Sequence, residues 1–204
     1  MVMTAIYGLL DFPALIRMWS VSRLDFYAAA VALVGVLLLG ILQGMLAALA
    51  SLLLLLFNAS RPHVAFLGRV PGTRSYSDMA RHPENEPLTG IIAFRPEASV
   101  TYVNADTVLN AVLRRLRVSD PASVRLAVCN LWASPYLDLA GSRMLHELHG
   151  ELAARGIPLR IVGARGRVRD LLRADGLEGK IGSLDRVSTL DSLIAGTVPE
   201  PSGA

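Results

Sequence analysis

The stretch DLAGSRMLHELHGELAARGIPLRIV, residues 138–162, decides how everything after residue 58 is read. Leu145, Leu148 and Leu152 recur at helical spacing, and His146, Glu147, Glu151 and Arg155 fall off that line. Residues 139–155 are therefore expected to form an amphipathic helix. Asp138 stands where an N-cap carboxylate would accept orphan backbone amides, and Gly156 stands where a helix stops. Ile157 to Val162 then reads as a strand, so the stretch is a helix feeding a sheet.

Working outward, the same alternation recurs. Gly90–Phe94 and Val100–Val103 read as two strands separated by Pro96 and Glu97. Asp106 to Arg117 reads as a helix, with Val108, Val112 and Leu116 on one face and Asp106 placed to cap it. Arg125 to Leu131 is a further, mostly apolar strand. Val168–Ala174 and Leu190–Ile194 are expected as short helices, with a disordered tail over 196–204. The order ββαβαβα predicts a small α/β domain over 88–195, a mixed sheet flanked by helices. Residues 58–87 carry Pro62, Gly68, Pro71, Gly72, Pro83 and Pro87 and read as a connector.

Upstream the chain changes character. From Phe26 to Phe57 it reads FYAAAVALVGVLLLGILQGMLAALASLLLLLF, without one charged side chain. A domain of this size could not bury such a run, so it is expected to lie in a lipid bilayer. One straight helix of that length would be about 48 Å long against a hydrocarbon layer of about 30 Å. Gly40 and Gln43-Gly44 offer a turn, which predicts a hairpin of helices over 26–40 and 44–57; one tilted helix is the alternative. Arg17 and Arg23 before the run and Arg61 and Arg69 after it place both ends on the cytoplasmic side, as an even number of crossings requires. Residues 1–57 are thus expected to be a truncated transmembrane region. In it, Met3–Leu10 is the tail of an earlier helix, stopped at Asp11-Phe12-Pro13.

Composition narrows the chemistry. Hydrophobic residues make up 52% and charged residues 18%, an average over an apolar segment and an ordinary domain. The net charge is +3, and Lys180 is the only lysine. Arg165, Arg167, Arg169 and Arg173 are better read as a solvated helix face than as a nucleic-acid stripe, so no nucleic-acid partner is expected. The single Cys129 excludes an internal disulfide and a multi-cysteine metal site. His146 and His149 are three apart rather than four, which reads as two solvated histidines and not as a zinc pair. Gly163-Ala164-Arg165-Gly166 lacks the Gly-Lys-Ser/Thr ending of a phosphate-binding loop and reads as a strand-to-helix turn. No metal and no cofactor are expected. No base, nucleophile and orienting acid assemble, so an enzyme is the weakest of the functional readings.

The order of elements, with Asp-x-x-Gly at the mouth of the second helix and Arg-Gly-Ile-Pro-Leu before a strand, resembles a STAS domain. Four stretches extend the resemblance to the C-terminal part of SulP-type anion permeases, the family of sulfate and bicarbonate transporters: LLGILQG at 38–44, SRPHVAFLGRVPGT at 60–73, YVNADTVLNAVL at 102–113, and residues 138–162. Such permeases are considerably longer, are built from inverted repeats, and hold their anion between broken helices. The resemblance covers only their last two membrane helices, the end of the one before, and the STAS domain. It implies a fragment, a truncated reading frame or one part of a split transporter, without a complete transport site. In soluble STAS antagonists of anti-sigma factors a serine follows the loop aspartate and is phosphorylated; Leu139 occupies that place here.

The resemblance also implies a multi-pass protein of the cell's inner membrane with the STAS domain in the cytoplasm, serving regulation or dimer contacts. Its partners would be the bilayer, a second copy or a missing upstream transporter segment, and a cytosolic protein. The loop at 134–141 is the expected regulatory or interaction site, with Ser134, Asp138 and Gly141 as its candidate residues. A stand-alone, membrane-tethered STAS regulator is the alternative.

Overall fold

A computed structural model describes residues 26–27, 30–31, 41–119 and 123–197. The chain divides into two units at Asn58/Ala59. In the first, Ile41–Ala59 forms helix α1, 19 residues long. That is a helix of about 28 Å, close to the thickness of a bilayer's hydrocarbon layer. Leu42, Met45, Leu46, Leu49 and Leu52 through Leu56 are all at least half exposed, so the helix is apolar on every side. An all-round apolar surface belongs to a buried or membrane-spanning helix. Its one serine, Ser51, donates to the Ala47 carbonyl at 3.0 Å, which satisfies the hydroxyl within the helix as a lipid environment demands. Among the described residues this is the one helix long and apolar enough to cross a membrane.

The expected turn at Gln43-Gly44 is not there, because both residues lie inside α1. Glycine is tolerated within apolar membrane helices, where its position marks no break. Of the other arm of the predicted hairpin, 26–27 and 30–31 are helical, and the rest, including Gly40, lies outside the described residues. So do residues 1–25 and 198–204.

The second unit is built on five strands: β1 Val64–Arg69, β2 Tyr76–Asp78, β3 Ile91–Pro96, β4 Leu126–Asn130 and β5 Leu159–Val162. Their order across the sheet is β2-β1-β3-β4-β5. β3, β4 and β5 run parallel, and β1 is antiparallel to both of its neighbours. Helices α2 Ala105–Val118, α3 Leu139–Ala153, α4 Gly166–Ala174, α5 Glu178–Ile181 and α6 Leu190–Thr197 complete the unit. The mixed sheet flanked by helices matches the α/β expectation, and two features correct its details.

First, the stretch read as a connector supplies two strands. Its punctuation is a hairpin: Thr73 N–H donates to the Val70 carbonyl at 3.1 Å across Pro71-Gly72, and Gly72 has φ 72°. Pro then Gly at the two central positions is the signature of a type II turn, which needs a positive φ at the second. Second, Val100–Val103 is not a strand. Val100 makes an isolated bridge to Leu137. Asn104 then folds the segment into a turn, its Oδ1 accepting from Thr101 N–H at 2.9 Å and its Nδ2 donating to the Ser99 carbonyl at 3.0 Å. Asn104, not Asp106, is the N-cap residue of α2.

Side chains alternate across the sheet with period two. Ile92, Phe94, Ala127, Cys129, Leu159 and Ile161 face a large core shared with α2, α3 and α4; Ala65, Leu67, Ile91, Ala93, Leu126, Val128 and Val162 face a smaller one. The smaller core is closed by Leu190 and Ile194 of α6, which runs to Thr197 and so extends past the expected Ile194. Tyr76 ties the hairpin to that helix, donating its hydroxyl to Asp191 at 2.9 Å. Burial and the Asp191 hydrogen bond raise the Tyr76 phenol above its ordinary value.

Because β1 covers the edge of β3, a fragment starting at residue 59 is expected to fold, whereas one starting at 88 would bare an apolar strand edge. Soluble yield and a cooperative urea transition for the longer fragment, with aggregation of the shorter, are the expected results.

Candidate functional site

The loops after β3 and after β4 meet beyond the C-terminal ends of the parallel strands, where α/β sheets present their ligand-facing surface. Val100 N–H donates to the Tyr136 carbonyl at 3.1 Å, and Asp138 N–H to the Val100 carbonyl at 3.3 Å. One carboxylate completes the junction. Asp138 Oδ1 accepts from Gly141 N–H at 2.9 Å, the expected N-cap bond of α3, and Oδ2 accepts from Tyr102 N–H at 2.9 Å in the other loop. Gly141 is required by closeness: a Cβ there would lie 2.6 Å from the Val100 carbonyl oxygen and 2.9 Å from Leu137 Cγ. Ser134 is fully buried, with its Oγ 2.8 Å from the Ala98 carbonyl and 3.1 Å from that of Pro96. Its single proton serves one of the two at a time.

The structure thus brings Ser134, Asp138 and Gly141 to one junction, where their polar atoms are spent on holding two loops together. What the junction shows to solvent is different. Tyr102, Trp132, Tyr136 and Leu139 are 77%, 70%, 55% and 60% exposed. Tyr102, Tyr136 and Leu139 line a groove of about 670 Å³, together with Arg143 and Arg167. Sequence reading missed these exposed side chains, because an aromatic in an irregular loop carries no period to say which way it faces.

A second cluster also escaped it. Ser142, fully buried, donates to Asp175 Oδ2 at 2.6 Å, and His146 Nε2 lies 3.1 Å from the same oxygen. Lys180 Nζ lies 3.2 Å from His146 Nδ1. Serine, histidine and aspartate are present, but not as a relay: serine and histidine both turn to the carboxylate, and the hydroxyl has no path to a substrate. The cluster locks α3 to the end of α4 and to α5. It brings together residues more than thirty positions apart, so no local motif could have announced it. Among the described residues no group of three His, Cys, Asp or Glu could hold a metal ion. Cys129 is buried in β4, and burial pushes its thiol far above the ordinary range. The Gly163–Gly166 segment is the strand-to-helix turn it was read as, with α4 opening at Gly166.

Residues 82–193 match the STAS domain family. The chain belongs to that family. Its likeness to individual proteins extends upstream of the STAS domain. It is 31% identical over 191 residues to a low-affinity sulfate transporter of Stylosanthes hamata, covering 89% of this chain and 30% of the relative. To a probable sulfate transporter of Mycobacterium tuberculosis it is 30% identical over 195 residues, covering 95% of this chain and 35% of the relative. The chain therefore spans about a third of the length of these curated relatives, and it corresponds to the C-terminal part of a SulP-type transporter. In fold, it superposes on the murine Solute Carrier 26 family member A9 anion transporter with a TM-score of 0.69 at 16% identity, over 86% of this chain and 28% of that one. The curated relatives are named as transporters and not as enzymes.

Several carboxylates of the STAS domain are held low and give its stability a pH dependence, Asp175 and Asp78 among them. The Ser142 hydroxyl and then His146 hold Asp175 below the usual carboxylate range. Burial works to raise Asp78, but the Ala80 amide and His63, at 2.7 Å, outweigh it and leave it lowered too. Groups depressed in the folded state contribute stability above the unfolded carboxylate pKa of about 3.9, and lose it as pH falls through the folded value. The urea midpoint is therefore expected to fall below about pH 4. Ser142→Ala should flatten that fall while lowering the midpoint at pH 7.

Asp138→Ala should cost about 1–2 kcal/mol in urea denaturation, since two backbone amides lose their acceptor. Gly141→Ala should cost about 1–3 kcal/mol by forcing α3 away from the Val100 carbonyl.

Proposed function

We propose that this chain is the C-terminal portion of a secondary anion transporter for sulfate or a similar oxyanion, supplying membrane helix and STAS regulatory domain but no complete transport site. The observation that carries the reading is the direct joining of a membrane-length apolar helix to a STAS domain, over a span that matches sulfate transporters along 89–95% of this chain. The protein lies in the cell membrane as a multi-pass chain, with the STAS domain in the cytoplasm, the side on which Arg61 and Arg69 favour the end of α1. It works with a second copy or with the segment that carries the upstream helices.

Within the STAS domain, the 134–141 loop is the regulatory and interaction surface. Ser134, Asp138 and Gly141 fix its shape, and Tyr102, Trp132, Tyr136 and Leu139 make the contact, their exposure being what a cytosolic partner would cover. Leu139 stands where related regulators carry a phosphorylated serine, so control here acts through binding and not through a phosphate at that position. That exposed aromatic surface also favours a second reading, a membrane-tethered STAS regulator that recruits a partner without transport.

Uptake of radiolabelled sulfate separates the two. Cells expressing the chain alone should show none, and co-expression with the upstream helices of a related transporter should restore it. Tyr136→Ala with Leu139→Ala should then change the uptake rate without changing the amount inserted. Uptake by the chain alone would overturn the placement of the transport site. Absence of uptake in every combination, with the chain inserted, would favour the tethered regulator.

A further inference from the structure

A second surface of the STAS unit, far in sequence from the 134–141 loop, is lined among the described residues by several basic side chains. Between the segment that follows α1 and the outer face of α2 lies a cleft of about 600 Å³. Arg61, His63, Arg114 and Arg115 line it, with Phe66 and Val118 among the apolar residues of its wall, and among the described residues no acidic side chain lines it. Arg115 lies over the Phe66 ring, 5.5 Å from its centroid, which fixes that guanidinium at the cleft. Arg114, Arg115 and Arg117 are exposed and have no carboxylate within salt-bridge distance among the described residues. Asp78, buried behind the cleft-lining His63, is turned to that imidazole and to the Ala80 amide. Val118 is 84% exposed at the cleft's rim, an apolar side chain left in water beside a cluster of cations.

Chain connectivity says what this surface meets. α1 ends at Ala59, and two residues of extended chain reach about 7 Å at most, which places Arg61 in the headgroup layer at that end of a membrane-spanning α1. We infer that the cleft binds the phosphate of an anionic lipid headgroup, in the leaflet that the C-terminal end of α1 reaches. The inference rests on α1 crossing the bilayer. The guanidiniums hold the phosphate by charge-assisted hydrogen bonds. Val118 and the Phe66 edge face the glycerol and upper acyl chain, a combination that suits a lipid better than a fully hydrated anion. Basic side chains beside a membrane are each worth about 1 kcal/mol on an anionic leaflet. The cleft would therefore fix the STAS domain against the cytoplasmic leaflet and make its position sensitive to lipid charge.

The test is equilibrium binding of fluorescent phosphatidylglycerol to the full chain in neutral-detergent micelles, with phosphatidylcholine and inorganic phosphate as separate arms. Arg114→Gln with Arg115→Gln should weaken phosphatidylglycerol binding by about ten-fold or more. The pair Arg114→Lys with Arg115→Lys, which keeps the charge, should retain it, and far-UV circular dichroism should be unchanged in both. Phosphatidylcholine should bind weakly and equally to all three proteins. Unchanged phosphatidylglycerol binding in the folded glutamine pair would overturn the assignment, as would displacement of the lipid by inorganic phosphate at equal concentration. Alkaline carbonate extraction of membranes expressing the chain reads the underlying premise separately. Retention in the pellet supports a membrane-spanning α1 whatever the lipid result, and release into the supernatant overturns the premise and the inference together.

Discussion

β4 is buried on both faces: Ala127, Val128 and Cys129 are wholly inaccessible, with Leu126 nearly so. A strand in that position cannot be stabilised by one layer of helices, and the rest of the domain follows from the need for two. Val112, Leu116, Leu145, Leu148 and Leu152 cover one face from α2 and α3. Among the described residues, the other receives Leu190, Leu193 and Ile194 from the last helix, with Tyr76 and Leu88 beside them. Parallel neighbours on either side require helical crossovers, so the connections that build the first layer are also those that deliver two loops to the same end of the sheet. β1 and β2 then extend the sheet beyond β3, antiparallel to each other because a short hairpin joins them.

At the end where the loops converge, the physics favours rigidity over switching. Asp138 accepts from an amide in each loop, Ser134 is buried against carbonyls of the facing segment, and Gly141 permits a contact that any side chain would block. A groove with exposed tyrosines and leucine on so fixed a frame can present a surface to a partner at little cost in conformational entropy. Regulation by occupancy fits this arrangement better than regulation by loop refolding. The lipid-facing cleft follows the same economy: two of its cations, Arg114 and Arg115, are held on α2, a helix with five buried residues.

What sequence made legible was whatever depended on local spacing. The leucine stripe of α3, the cap at Asp138, the apolar run and the succession α2, β4, α3, β5 all declare themselves within one or two turns of chain. Losses came where tertiary context overrode local character. Val100–Val103 has the β-branched composition of a strand, yet the Asn104 side chain captures its backbone in a turn. Val64–Arg69 was hidden by its neighbours, since proline and glycine mark a connector and a tight hairpin equally well. Gln43-Gly44 has the composition of a turn, yet it lies within the helix, because glycine does not break an apolar membrane helix. Ser134, Asp138 and Gly141 were found as a loop, but their work inside it, and the exposure of Trp132 and Tyr136, depend on which residues the fold sets opposite one another.

Hydrogen exchange of the backbone amides of Tyr102 and Gly141, measured under native conditions, tests the central claim that this junction is a fixed frame. Both amides are predicted to exchange only with the global unfolding of the STAS domain, as slowly as those of β4. Exchange at the rate of an open loop, with β4 still protected, would contradict it, and would return the 134–141 segment to the class of mobile switches.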